Sequence, residues 1–297
     1  MDDPFPFLSA RQADKLRSLA RDAFARNGLE VTVHPDHVVD GSGRVFGLRS
    51  LAVECSKAGK GEWSWKRIVR EGVREIIAMM DEPSPFETLA AAEILAATCP
   101  RLMAGVDLPP TLNNALDVGG GLVEVLAVDL PDRVAYFSDD QVERFGHGAL
   151  RDAAYRNLRA IEADHDMDLT ISGPDGDARI RSLTGESMFI ASLVLVLPTV
   201  LARYGSEPDP DLGAFVVVPD RYSIDLHVLG QGAPVEALQH LATTARLGYQ
   251  ESGQDVSPYV YWWRSGRLLT RISDIDEDGR IAILLGDELG AVLDQLR

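Results

Sequence analysis

Leu16, Leu19, Ala20, Ala23 and Phe24 recur at the spacing of one helical face. Ser9 and Gln12 ahead of them make a capping box, and Asn27-Gly28 behind them is a stop signal. The period then changes. Leu29, Val31 and Val33 alternate with polar residues, which predicts a strand over 29–34. Asp40-Gly41-Ser42-Gly43 predicts a turn into a second strand at 44–46, so the helix is followed by a hairpin. A helix is expected over 47–56. Trp65, Ile68, Val69, Val73, Ile76, Ile77 and Met80 mark the apolar face of a longer one over 62–80, broken by Pro83-Ser84-Pro85. Residues 86–99 are alanine-rich and read as a further helix, halted before Pro100.

Asp107-Leu108-Pro109-Pro110 and Asp117-Val118-Gly119-Gly120-Gly121 then punctuate the chain. Beyond them strands and helices interleave. Residues 122–128 and 133–137 read as strands, and Ser138 with Gln141 caps a helical stretch in which Leu150, Ala154, Leu158 and Ile161 share a face. Residues 169–172 and 178–183 flank Pro174-Asp175-Gly176-Asp177 as a hairpin. An apolar helix is expected over 186–204. Residues 213–218 and 222–229 form a second hairpin around Pro219-Asp220. A helix over 235–248, a meander at 259–264, 268–272 and 280–285, and a helix over 287–296 close the chain. Strands that come in hairpins with helices between them predict an α+β fold. It has two lobes of antiparallel hairpins and meanders packed with helices: a helix-rich one over 1–110 and a second over 111–297.

Charge adds to this picture. The 297 residues include 46 Asp and Glu against 29 Lys and Arg, a formal net charge of -17. The first hundred residues carry 13 basic and 15 acidic groups, so the imbalance belongs to the second lobe. It gathers at 162–168, 207–211 and 274–278. Such a chain repels phosphate backbones and anionic membrane surfaces, which argues against nucleic-acid and membrane partners and for a basic protein. Two cysteines, Cys55 and Cys99, each in a predicted helix, leave no disulfide framework and no four-cysteine zinc site. The N-terminus lacks a basic, apolar secretory leader, and the apolar run at 188–201 is too short to cross a bilayer. A cytoplasmic protein is expected.

No catalytic motif stands out, and no cofactor is implied. Gly119-Gly120-Gly121 lacks the lysine and hydroxyl residue of a phosphate loop, and Gly185-Glu186-Ser187-Met188-Phe189 lacks the closing glycine of a nucleophile elbow. Asp225 and His227, two residues apart on a strand, point to one face, where an aspartate could orient a histidine base. With Asp220 and Arg221 they make a candidate ligand site. Tyr259, Tyr261 and Trp263 share one face of the densest aromatic stretch and suit either a core or a partner surface. Asp164, Asp166, Asp209 and Asp211 are candidate acidic contacts for a partner. Lys57, Lys60, Lys66, Arg67, Arg70 and Arg74, interleaved with Glu71 and Glu75, read as a solvated face of ion pairs.

Two sets of residues have a familiar look. One is Phe46-Gly47-Leu48-Arg49-Ser50-Leu51-Ala52-Val53-Glu54-Cys55, followed by Glu62-Trp63 and a long helix. The other is Ala154-Tyr155-Arg156-Asn157-Leu158, Phe189-Ile190-Ala191 with Ser192-Leu193-Val194-Leu195, and Val216-Val217-Val218-Pro219-Asp220-Arg221. Together they resemble the YtpQ-like family of uncharacterised bacterial proteins. Arg49-Ser50 stands where the family has an asparagine, and Tyr222 where an acidic residue is common. The resemblance implies a bacterial cytoplasmic protein of unassigned function and supplies no catalytic residues. Asn157 and Pro219-Asp220-Arg221 fit structural roles, a bond to backbone and a fixed turn.

Two functions follow as expectations. The first is a non-enzymatic interaction protein that binds a basic protein, as an immunity-type partner of a cationic toxin does. The second is an enzyme or small-molecule-binding protein with a site near the 220–227 hairpin. Self-association is a third, blander option.

Asp274-Ile275-Asp276-Glu277-Asp278-Gly279 matches the opening of a calcium loop, but Leu285 stands where the bidentate glutamate belongs, and the flanks read as strands. Asp274, Asp276 and Asp278 are thus weak metal candidates in an acidic hairpin turn. The turn predicts that millimolar calcium leaves the Tm unchanged, whereas a rise in Tm on adding calcium marks a binding loop.

Overall fold

Ser9 caps the first helix, Ala10–Arg26, with both halves of the capping box formed. Its far end is closed by Asn27, whose Nδ2 donates to the Ala23 carbonyl at 2.8 Å. The computed structural model describes residues 5, 7–42, 44–58, 62–81, 83–108, 112–131, 133–205, 208–252, 256–276 and 278–296. Parts of the acidic segment at 207, of the basic cluster at 60, of the calcium-like turn at 277 and of the turn at 43 lie outside the described residues. The fold is α+β, as the pattern predicts.

The chain divides into two compact units, Met1–Glu87 with Gln250–Gln254, and Thr88–Tyr249 with Asp255–Arg297. In the first, three short strands (Val31–Val33, His37–Asp40, Val45–Gly47) form an antiparallel sheet where a two-stranded hairpin was expected. The extra strand follows from the Pro35-Asp36 turn, which brings the His34 N–H onto the His37 carbonyl at 2.8 Å. Asp40 closes the next turn, taking the backbone N–H groups of Ser42 and Arg44 on Oδ1 and the Arg44 side chain on Oδ2. The helices Ala10–Arg26, Arg49–Lys57 and Glu62–Asp81 bury Leu16, Phe24, Leu51, Cys55, Trp65 and Val69 in one core. Arg67 pairs with Glu71 at 3.1 Å on the solvated face.

The second unit begins earlier than the expected boundary at 110, a point that itself lies outside the described residues. Residues 86–99 do not make one helix. Short helices at Pro85–Thr88 and Ala91–Ala97 give way to a strand, Thr98–Ala104, paired along its length with Leu122–Asp129. Cys99 is therefore in a strand rather than a helix, and Pro100 is tolerated because the strand lies at a sheet edge. Leu116–Gly119 and Val134–Tyr136 complete this sheet on the other side of Leu122–Asp129. Gly119-Gly120-Gly121 is a packing device: a Cβ on Gly119 would fall 2.3 Å from the Leu269 carbonyl oxygen, and one on Gly120 2.6 Å from the Tyr261 ring.

A six-stranded antiparallel sheet dominates the unit. Its order is Thr270–Arg271, Val260–Trp263, Ala214–Val217, Ser223–Val228, Gly176–Thr184 and His165–Gly173. One face buries Leu183, Val216, Leu226 and Tyr261 in a cluster with residues of the 3₁₀ helix Ala191–Val196 and the helix Leu197–Arg203. The expected helix over 186–204 is split in this way because Pro198 lacks the N–H that would continue it. The other face buries Ile180, Phe215, Val260 and Trp262 with residues of the helices Pro234–Glu251 and Asp287–Gln295. Ser273–Ile275 and Ile281–Ile283 form a separate two-stranded hairpin.

Two residues of the family-like motifs hold the backbone. Asn157 Nδ2 lies 2.9, 3.1 and 2.8 Å from the carbonyls of Leu95, Ala96 and Thr98, where helix turns into strand. Asp220 Oδ1 accepts the Tyr222 N–H at 2.7 Å and fixes the turn. Asn157→Ala strips those carbonyls of their shared donor and is expected to lower stability by about 2 kcal/mol, read from urea unfolding.

Candidate functional site

The hairpin Ala214–Val217/Ser223–Val228 brings Asp225 and His227 to the same face, as the alternation predicts. Both are buried, at 7% and 0% exposure. His227 Nδ1 lies 2.8 Å from the Arg179 carbonyl, so it carries the proton and donates, while Nε2 is buried without a partner among the described residues. Burial holds the imidazole below its ordinary pKa. Burial also pushes the Asp225 carboxyl above its usual range, against a hydrogen bond from Ser182. Asp225 and His227 form no hydrogen bond to each other among the described residues. Asp220 is committed to its turn, and Arg221 Nη1 contacts Met188 Sδ at 3.6 Å. The four residues belong to the packing of the sheet rather than to one acid–base centre.

The aromatic stretch is core. Tyr261 and Trp263 are buried at 2% and 9% exposure, with Tyr261 Oη 2.6 Å from Ser257 Oγ. Only Tyr259 of the three is partly exposed, beneath the Arg271 guanidinium at 4.6 Å. Tyr261 and Trp263 are thus withdrawn from any partner surface, because this strand has a layer on each face.

The acidic candidates sit at the surface in two places. Asp209 Oδ1 accepts the N–H groups of Asp211 and Leu212, an Asx turn. Asp164, Asp166 and Asp168 lie at the start of the strand His165–Gly173. There Asp168 pairs with Arg179 at 3.2 Å and Arg181 at 3.1 Å, Asp166 reaches Arg181 at 3.7 Å, and Asp164 Oδ2 accepts the Glu186 N–H. Among the described residues the strand is the outermost of the sheet and has one paired side. In the calcium-like turn, Asp276 Oδ1 accepts the Arg280 N–H at 2.7 Å and closes the hairpin. No group of three or more His, Cys, Asp or Glu is placed to hold a metal among the described residues.

One feature escapes sequence reasoning altogether. A cavity of about 720 Å³ lies against the first turn of the helix Pro234–Glu251, and Glu236 on that turn is buried. On the sequence Glu236 looks like any first-turn glutamate. The neighbouring hairpin tip at 174–177 is sixty residues away in the chain.

Cys55 and Cys99 are both buried, which pushes each thiol up to about 12 and leaves them inert as nucleophiles.

Because His227 is held neutral in the fold, the unfolded chain takes up the proton first as pH falls. The residue therefore removes stability below about pH 6.5 and removes none above it. The Tm is expected to drop between about pH 7 and about pH 5.5, and to drop less steeply in His227→Leu; the two slopes are the measurement. Comparison with family models, with curated proteins and with solved structures finds no match for this chain.

Proposed function

We propose that the protein is a non-enzymatic cytoplasmic binding protein whose partner is a basic protein, taken up at the outer strand of the six-stranded sheet. The observation that carries this reading is the strand His165–Gly173: nine residues, mostly exposed, and paired on one side only among the described residues. A strand with a free side is a template for an extended segment. The charge chooses the segment. Asp164, Asp166, Asp168, Asp175 and Asp177 stand on this hairpin against Arg179 and Arg181, and the whole chain carries -17. The same aspartates oppose pairing with a second copy, since like charges across a strand pair repel. Exposed Met167 offers an apolar contact. An immunity-type role against a cationic toxin is one form such a function takes.

A nine-residue peptide of alternating lysine and valine is expected to bind, measured by fluorescence anisotropy, and to bind less tightly as salt rises. The double variant Asp166→Lys/Asp168→Asn should weaken it about fivefold while keeping its melting transition. Equal binding of a glutamate–valine peptide, or equal affinity of the variant, would sink the proposal.

A further inference from the structure

A small cleft of about 110 Å³ opens between the helices Ala10–Arg26 and Glu62–Asp81 of the first unit. Leu19 and the buried Ala23 give it an apolar lining. Arg26 enters from the first helix, Lys66 and Arg70 from the second, and Asp22 is the one carboxylate among the described lining residues. The lining thus carries a net charge of +2, in a chain whose total is -17.

The three cations are exposed, and none makes an ion pair or a hydrogen bond among the described residues, with Asp22 or with anything else. Helix physics accounts for one of them. Arg26 stands in the last turn of its helix, where a cation complements the unpaired carbonyls. Lys66 and Arg70 lie inside their helix, four residues apart on one face, and a like-charged pair at that spacing destabilises a helix. Arg67 beside them shows the usual arrangement, paired with Glu71 at 3.1 Å. The first helix sets a third cation against Lys66 and Arg70 where an acid would relieve them. Unpaired charge of one sign gathered in a cleft repels itself and favours a counter-ion of the opposite sign.

We propose that this cleft binds a phosphate dianion. The two arginines supply planar donor forks that match phosphate oxygens, and the lysine adds a compact third charge. The net charge of +2 equals that of the dianion in size, whereas a carboxylate meets half of it. The volume lies well below the range of about 300–1,000 Å³ that whole small-molecule sites occupy, so the cleft takes one phosphoryl group and leaves any remainder of the ligand outside. That group can be inorganic phosphate or the end of a small phosphomonoester. A nucleic-acid strand is opposed by the charge of the rest of the chain. The inference rests on the first unit alone and not on the sheet-edge reading, so either can fail without the other.

The experiment is an NMR titration of the full chain with inorganic phosphate at neutral pH, the ionic strength held constant with sodium chloride. Saturable shifts are expected at the amides of Leu19, Ala23, Lys66 and Arg70, with a Kd of about 1 mM. Arg70→Gln is expected to weaken phosphate about fivefold with its melting transition kept, and Arg67→Gln, which removes the same charge outside the cleft, to change the affinity less than about twofold. Glycerol phosphate identifies the source: tighter binding than inorganic phosphate assigns a phosphomonoester, and weaker binding assigns the free ion. Absence of saturable shifts at these amides up to about 20 mM phosphate, an equal response to acetate, or equal losses in Arg70→Gln and Arg67→Gln would overturn the proposal. Should Arg70→Gln fail to fold, the comparison of phosphate with acetate in the wild-type chain decides alone.

Discussion

The second unit depends on a sheet that is buried from both faces. Ala214–Val217 and Val260–Trp263 pair in register, Ala214 with Trp263 through Val217 with Val260, and every one of these residues is buried. Side chains alternate across a strand, so burying both faces demands apolar residues at consecutive positions. That demand explains Val260-Tyr261-Trp262-Trp263. Two of the polar atoms that enter with the rings find partners there: Tyr261 Oη meets Ser257 Oγ, and Trp262 Nε1 donates to the Leu212 carbonyl at 2.8 Å. The Arg264 guanidinium stacks 3.7 Å from the Trp262 ring centroid and is held in a fork by Glu288.

This constraint sorts the polar residues. A sheet covered on both faces exposes side chains chiefly at its outer strand and at its turns. The acidic residues of the unit accordingly collect at His165–Gly173, at the hairpin tip and in the Asp209 and Asp276 turns. Inside the sheet, burial holds the His227 imidazole below its ordinary pKa and pushes the Asp225 carboxyl above its own. Glu236 keeps one oxygen on the Asp175 N–H, and its other oxygen, like His227 Nε2, is buried without a partner among the described residues.

Local signals located most elements because the forces behind them are local. The Ser9 and Ser138 capping boxes, the Asn27 stop and the Asp220 turn each involve residues within four positions, and all form. Residues 98–104 show the limit. Alanine-rich propensity favours helix through Cys99, but seven cross-strand pairs with Leu122–Asp129 outweigh it, and those partners lie 18 to 30 residues away. The strand His37–Asp40 was hidden for a different reason: it is only four residues long, and a tight turn on either side sets its pairs five to ten residues away. Of the candidate site residues, the pairing of Asp225 and His227 on one face was legible from a period of two, whereas their burial was not.

By itself the sequence determined the α+β class, the hairpins, the caps and the concentration of negative charge in the second half, since these follow from periodicity and composition. Only the tertiary structure decided that the aromatic strand is core, that His227 is sealed from solvent, and that the acidic strand His165–Gly173 is the outermost of its sheet among the described residues. It also set Glu236 beside a hairpin tip sixty residues distant in a walled cavity. The physical reason is the same in each case: burial and long-range pairing depend on which surfaces meet, and that is not written in the spacing of residues along the chain.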